Sequence, residues 1–355
     1  MTVIDADLHC VVPAIETLFP WIPGHWIEYI NQSGFKGPND TSYPRAPTSA
    51  LAGSSAPNGK PAGSSLDLLR EQALDPWKTT LGILNCSYAV DSIHNPDIDV
   101  ALARAVNDWM IAEWLDKEPR LRASIVVPIK QPDAAAREIE RVGDHPGFIQ
   151  VYLPVRTAIP YGKRMYHPVF EAATRHKLAI GLHFGGNPGN PPTSVGWPSY
   201  YIEEYAGMAQ VYQSQLMNMI VEGVFDRFPD LRVACLESGF GWVPPFLWRF
   251  DKEWKGLRRE VAWTKRLPSE YVREHIRFAL QPFDIPMTGP KLFHILDQIG
   301  SDDMLMFSTD YPHWHIDSPD QSLPPDLPAD LIAKIMGGNA QSFYRLPLPV
   351  GSPTV

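Results

Sequence analysis

Eight short apolar runs punctuate the chain, at 3–7, 81–87, 123–128, 148–153, 178–183, 231–237, 276–280 and 304–309. They are continuously apolar rather than alternating, the pattern of strands covered on both faces in a parallel sheet. Longer segments with apolar residues spaced three and four apart lie between them, at 98–115, 134–141, 168–176, 201–228, 245–260, 290–299 and 329–343. In the first of these, Ala101, Ala105, Trp109, Ala112 and Leu115 share one stripe; the third opens on Pro168, which a first helical turn tolerates. The Met-rich stripe from Met208 to Phe228 reads as core or subunit contact. Strand runs alternating with helix patterns predict an α/β protein, a closed (β/α)8 TIM barrel rather than an open sheet, as one domain over 1–355.

Composition adds boundaries to that picture. The 355 residues suit a barrel with insertions, a fold that runs from ~200 to more than ~400 residues. Proline is in excess, 36 residues, concentrated at 36–65, 186–198 and 318–328. The stretch 36–65 is expected to be an ordered arm, with Tyr43, Pro44, Arg45 and Pro47 packed over a neighbour, and 346–355 a tail. The net charge is −9 and no Lys/Arg run could track a phosphate backbone, so nucleic acid is not an expected partner. No apolar window reaches the ~18 residues of a membrane span, and the N-terminus lacks the basic and apolar regions of a signal peptide. The three cysteines form no CxxC, and Cys86 and Cys235 sit inside apolar runs. They read as reduced core residues, which predicts a cytoplasmic protein.

The ends of the runs carry the candidate chemistry, because in a barrel those ends face one shared pocket. The first run ends in Asp5-Ala6-Asp7-Leu8-His9, and a period of two puts Asp5, Asp7 and His9 on one face. The fifth ends in His183, the sixth in Glu237-Ser238-Gly239, and the eighth in Asp310-Tyr311-Pro312-His313. Carboxylates and imidazoles are odd endings for apolar runs. Together they read as a site for one divalent metal, held by Asp7, His9, His183 and Asp310. Zn²⁺ is the first expectation, with Mn²⁺ or Fe²⁺ acceptable to the same donors. A cation would offset the repulsion of Asp7 and Asp310 buried together. The bland reading, a hydrogen-bonded barrel-mouth residue, fits His183 taken alone better than it fits four such residues jointly.

Further roles stay open at this level. Asp310 is also a candidate proton acceptor. Glu237 reads as a general base, a ligand of a second metal, or a carboxylate capping its turn. His313 reads as a ligand or acid, or as a packed loop imidazole. Arg156, just past the fourth run, could fork onto a substrate carboxylate or pair with a loop acid. Trp197, with Tyr200 and Tyr201, could wall the pocket or pack within its loop. His94, His315 and the tryptophans 248, 254 and 263 read as packing residues. Gly185-Gly186 lacks the spacing of a phosphate cradle.

From IDADLH to FSTDYPHW, nearly the whole chain resembles the amidohydrolase-2 branch of the amidohydrolase superfamily, which includes aminocarboxymuconate semialdehyde and γ-resorcylate decarboxylases. PAGSSLDLLREQALDPW, HNPDIDVALARAVNDW and VACLESGFGWVPPFLWRFDKEW look like a large subgroup known only as amidohydrolases. The resemblance matches Asp7-x-His9 to the family's strand-one ligands, His183 to its strand-five His and Asp310 to its strand-eight Asp. It implies a metal-dependent enzyme acting on a small carboxylated or amide-bearing metabolite, by hydrolysis ahead of non-oxidative decarboxylation. Two positions depart. The decarboxylases carry a His after strand six, where this chain has Glu237. His313 adds an imidazole near Asp310, as a second metal would need. The alternative implied is a subunit of a non-heme dinuclear Mn/Fe monooxygenase, either catalytic or the zinc-binding partner of a related chain. A homodimer, or a hetero-oligomer with a related amidohydrolase-fold chain, is the expected assembly.

Overall fold

The computed structural model describes residues 1–38, 50–56, 59–186, 191–313 and 322–347. Eight parallel strands follow one another around a single sheet in chain order. They are β1 (Ile4–His9), β2 (Leu81–Asn85), β3 (Leu121–Val126), β4 (Phe148–Arg156), β5 (Ala179–Gly186), β6 (Val233–Leu236), β7 (Ile276–Ala279) and β8 (Leu305–Met306). All eight lie at the predicted runs. The last strand meets the first through the amides of Ala6 to the Phe307 carbonyl (2.9 Å), Asp310 to Asp7 (3.0 Å) and His9 to Tyr311 (2.8 Å), which closes the barrel.

Two apolar layers result. Inside lie small side chains, among them Ala6, Ala179, Ala234 and Ala279, with Phe343 and Tyr344 of the C-terminal segment packed into the same cluster. Outside, Val151, Leu153, Val155 and their counterparts pack against the helices. β1 departs from the simple alternation. Asp5 pairs with Gly82 but Leu8 with Leu84, so β1 carries one extra residue. Such a bulge reverses which side chains face inward. Ile4 and Ala6 share the interior cluster before the bulge, while Asp7 reaches His183 across the barrel after it. Asp5 is thereby separated from Asp7 and His9, against the shared face expected from the sequence.

The helices corroborate most of the periodic segments, divide one and add another. The segment 201–228 is a helix over Tyr201–Val221 and a separate turn, Val224–Arg227, because Gly223 takes a left-handed backbone (φ 75°). A helix at Pro268–His275 precedes β7 without having been expected; its eight residues are too few for a clear stripe. Proline stands in the first turn of helices Pro96–Met110, Pro132–Val142, His167–Arg175, Val243–Leu257, Pro268–His275 and Gly289–Ile299. There its missing N–H costs nothing, so part of the proline excess serves helix starts as well as loops.

The described parts of the arm lie on the barrel mouth. Leu51 N–H donates to the Pro312 carbonyl (2.7 Å), Ala50 bridges His313, and Val11 N–H donates to Gly63 (2.9 Å). Tyr43, Pro44, Arg45, Pro47, His315 and 348–355 fall outside the described residues. Among the described residues no helix is long and apolar enough to cross a membrane, and all three cysteines are free and buried.

Candidate metal centre

Asp7 and His9 arrive from the end of β1, His183 from β5, Glu237 from just after β6, and Asp310 and His313 from the turn after β8. All but His313 are buried, and His313 is half-buried. Two overlapping triplets each place one ligand atom per residue within 4.8 Å of the others: Asp7, His9 and His183, and His9, Asp310 and His313. His9 Nε2 lies 2.9 Å from Asp310 Oδ1 and 3.7 Å from Asp7 Oδ1. His183 Nε2 is 3.3 Å from Asp7 Oδ1, and His313 Nδ1 is 2.9 Å from Asp310 Oδ1. The four residues expected to share a cation are thus divided, among the described residues, between two triplets that share His9, the second of them completed by His313.

Neighbours fix the ligand orientations. His9 Nδ1 donates to the Asn85 carbonyl (3.0 Å), and His183 Nδ1 to the Phe184 carbonyl (2.9 Å), so both rings turn Nε2 toward the centre. This is the usual support for a metal-binding imidazole. The Asn85 amide donates to Asp7 Oδ1 (2.8 Å), while Asp7 Oδ2 is buried without a hydrogen-bond partner among the described residues.

Charge completes the fit. Burial works against a proton on His183, but Asp7 and then Glu237 outweigh it and lift the imidazole to about 10. At His313 burial is likewise overcome, chiefly by Asp310, and the ring is lifted to about 9. Glu237 is pushed up to about 7 by burial and by Asp310, with His183 opposing. The centre therefore holds an excess of buried negative charge that draws positive charge to it. An unpartnered Asp7 oxygen, two imidazoles aimed inward and this electrostatic demand fit a divalent metal ion.

Glu237 and Asp310 have left-handed backbones, φ 54° and 61°. Each such non-glycine residue costs on the order of 1–3 kcal/mol and persists only where its surroundings hold it. Asp5 supplies the hold at β8: it accepts from Thr309 N–H (3.1 Å), Thr309 Oγ1 (2.7 Å) and Asp7 N–H (3.1 Å). Asp284 supplies it at β6, with Oδ1 accepting from Phe240 N–H (3.0 Å) and Gly241 N–H (2.9 Å).

Other expected site residues are placed differently. Arg156 is buried and its Nη1 pairs with Glu204 Oε1 at 2.7 Å. The partner is an acid of the helix Tyr201–Val221 rather than a loop acid. Trp197 is 50% exposed, and among the described residues no ring contact ties it to the cluster. Tyr205 was not foreseen, yet its hydroxyl donates to Glu237 Oε1 (3.2 Å), and it stacks on Tyr201 and meets Phe184 edge-on. Its place four residues after Tyr201 on a helix was the available signal.

The amidohydrolase family model matches residues 4–346. A γ-resorcylate decarboxylase from Polaromonas sp. strain JS666 is 27% identical over 262 residues, covering 69% of this chain and 76% of that protein. The structure of 2,6-dihydroxybenzoate decarboxylase from Rhizobium superposes with a TM-score of 0.69 at 21% identity, over 98% of this chain and 99% of that one. A 5-carboxyvanillate decarboxylase from Novosphingobium aromaticivorans, complexed with manganese and 4-hydroxy-3-methoxy-5-nitrobenzoic acid, gives 0.71 at 18% identity over 97% and 96%. None of these three is an oxygenase, so the oxygenase alternative gains no support from them. The chain belongs to the amidohydrolase family and is an enzyme of its hydrolase and lyase kind.

Proposed function

We propose that this enzyme removes carbon dioxide from a small aromatic carboxylate, with Asp7, His9, His183 and Asp310 as ligands of one divalent metal. The observation that carries the reading is the pair of triplets of carboxylates and imidazoles, one from β1 and β5 and one from β1 and the turn after β8, that share His9. A ring of aromatic side chains around it suits a planar substrate. Tyr152 lies 5.4 Å from the His183 ring, Phe184 5.1 Å from Tyr205, and Tyr201 stacks on Tyr205. Names of relatives point the same way: γ-resorcylate, 2,6-dihydroxybenzoate and 5-carboxyvanillate decarboxylases.

A bound divalent ion would supply a fixed positive charge for the carboxylate or a neighbouring hydroxyl of the substrate. The donors suit Mn²⁺ as well as the Zn²⁺ expected from sequence, and Mn²⁺ is the ion in the Novosphingobium protein. Loss of carbon dioxide leaves a ring carbon that needs a proton. Glu237, with Oε2 4.0 Å from His183 and Oε1 held by Tyr205, is the group we assign to deliver it. His313 hydrogen-bonds Asp310 and keeps that carboxylate turned inward. The aromatic walls limit water. One observation favours hydrolysis as a second reading: Glu237 stands where the resemblance has a His, and a carboxylate there can act as a base toward water.

The test is elemental analysis of protein purified without added metal, followed by assays with Mn²⁺ or Zn²⁺. Carbon dioxide release from 2,6-dihydroxybenzoate and 5-carboxyvanillate is compared with hydrolysis of aryl amides. Metal-dependent release, lost in His183→Ala together with the metal, is expected. Release that survives chelation, or full metal occupancy in His183→Ala, would overturn the assignment.

A further inference from the structure

A line of polar side chains crosses the barrel interior from the metal centre to the C-terminal segment. Asn85, Ser124 and Gln150 lie in β2, β3 and β4 and are fully buried, in strands whose side chains are mostly apolar. The strand register sets His9 beside Asn85 and Ser124 beside Gln150. Buried polar groups at this depth cost free energy unless paired, and here each is paired to the next. Tyr344 Oη donates to Gln150 Oε1 (2.9 Å). Gln150 Nε2 donates to Asn85 Oδ1 (3.1 Å) and Ser124 Oγ (2.8 Å), and Ser124 Oγ donates to Asn85 Oδ1 (2.6 Å). Asn85 Nδ2 then donates to Asp7 Oδ1 (2.8 Å).

The direction of the line follows from its upper end. An ionised carboxylate only accepts, so Asn85 must turn its NH₂ toward Asp7 and its oxygen downward. That oxygen needs donors, which Ser124 and Gln150 provide. The Gln150 oxygen in turn needs a donor, which the Tyr344 hydroxyl provides. A flip of either amide would set two acceptors or two donors face to face. Space for the line is reserved: a Cβ on Gly181 would lie 2.4 Å from Gln150 Nε2.

We propose that Asn85 is a positioning residue for Asp7, held in its working orientation by the hydrogen-bonded line through Ser124 and Gln150 to Tyr344. Asn85 grips Oδ1, the oxygen that lies 3.3 Å from His183 Nε2 and 3.7 Å from His9 Nε2, and so sets how the carboxylate faces the two imidazoles. Its carbonyl orients His9 at the same time (3.0 Å), so one residue aligns both ligands of β1. The hydroxyl of Tyr344 thereby acts on the metal centre without touching it. This inference rests on the metal reading given above and adds to it a determinant of affinity remote from the ligands.

The experiment titrates Mn²⁺ into the metal-stripped full chain by calorimetry, for the parent, Asn85→Ala, Asn85→Asp and Tyr344→Phe. The melting temperature of each metal-free protein is recorded alongside. Affinity should fall about 10- to 100-fold in both Asn85 variants, the usual effect of removing a partner of a metal ligand. In Tyr344→Phe, which deletes one oxygen far from the ligands, it should fall about threefold or more, while Mn²⁺ stoichiometry in every variant stays that of the parent. Parent-like affinity in the Asn85 variants overturns the proposal, whether or not their melting temperature drops. If the Asn85 variants do not fold, Tyr344→Phe decides, and unchanged affinity there overturns it. A parent that binds no Mn²⁺ or Zn²⁺ defeats the metal reading itself; a parent that binds with indifferent variants defeats only this inference.

Discussion

The turns after β6 and β8 solve the same problem with different rigidity. Each presents an acidic residue on a left-handed backbone, Glu237 and Asp310. Each is held by a second carboxylate from elsewhere in the chain, Asp284 and Asp5. Asp5, however, sits on β1 two residues from Asp7, and the amide of Asp310 bonds the Asp7 carbonyl directly. The turn that carries Asp310 is thus locked to the strand that carries Asp7 and His9. Asp284 comes from a loop and grips only the amides of Phe240 and Gly241, beyond Glu237 itself. The difference bears on the two proposed tasks: the β8 turn would fix where an ion sits, and the β6 turn would carry the acid proposed to deliver the proton.

Substitutions at the two acids should divide most sharply. Asp310→Asn is expected to weaken Mn²⁺ binding by about a hundredfold or more, read by calorimetry. Glu237→Gln should retain the ion but lower kcat by about 10²–10⁴; metal lost from Glu237→Gln would merge the two roles and erase the distinction. Chelation comes next. An ion present at about 1,000 times its Kd stabilises the fold by about 4 kcal/mol, so stripping it should lower the melting temperature; at the same ion concentration a hundredfold weaker Asp310→Asn should keep only about 1.4 kcal/mol of that stabilisation or less, while Glu237→Gln keeps it all. Smaller effects are expected at the two supporting acids. Asp5→Ala should cost about 3 kcal/mol in denaturant unfolding and reduce Mn²⁺ affinity, whereas Asp284→Ala should cost about 2 kcal/mol, lower kcat and spare the affinity. Smallest of all, Glu237→Asn should be more stable than Glu237→Gln by about 0.5–1 kcal/mol, since Asn accepts the left-handed region more readily.

Much of this was legible from residue order. Continuous apolar runs identify buried strands because parallel barrel strands have no wet face, and carboxylates or imidazoles ending such runs stand out against that background. The misplacement of Asp5 has a definite cause: alternation assumes an unbroken ladder, and the extra residue in β1 leaves no mark in the local pattern. Arg156 lay where a mouth residue was expected, but its buried partner Glu204 is 48 positions away on another element, beyond any periodic signal. The supports for Glu237 and Asp310 depend on long-range pairing in the same way. Asn85, Ser124 and Gln150 were visible as polar intrusions in apolar strands, although their connection to Tyr344 required the fold.

The meeting of β8 with β1 bears on how the ring comes apart. β8 has two residues, and the proposed ligands that meet at this join, His9 and Asp310, lie 301 positions apart in the chain. An ion grasped from both sides of so slight a join would work as a clasp. Without it, the ring should open first between its first and last staves, and amide exchange of Ala6, His9 and Asp310 should quicken ahead of every other strand.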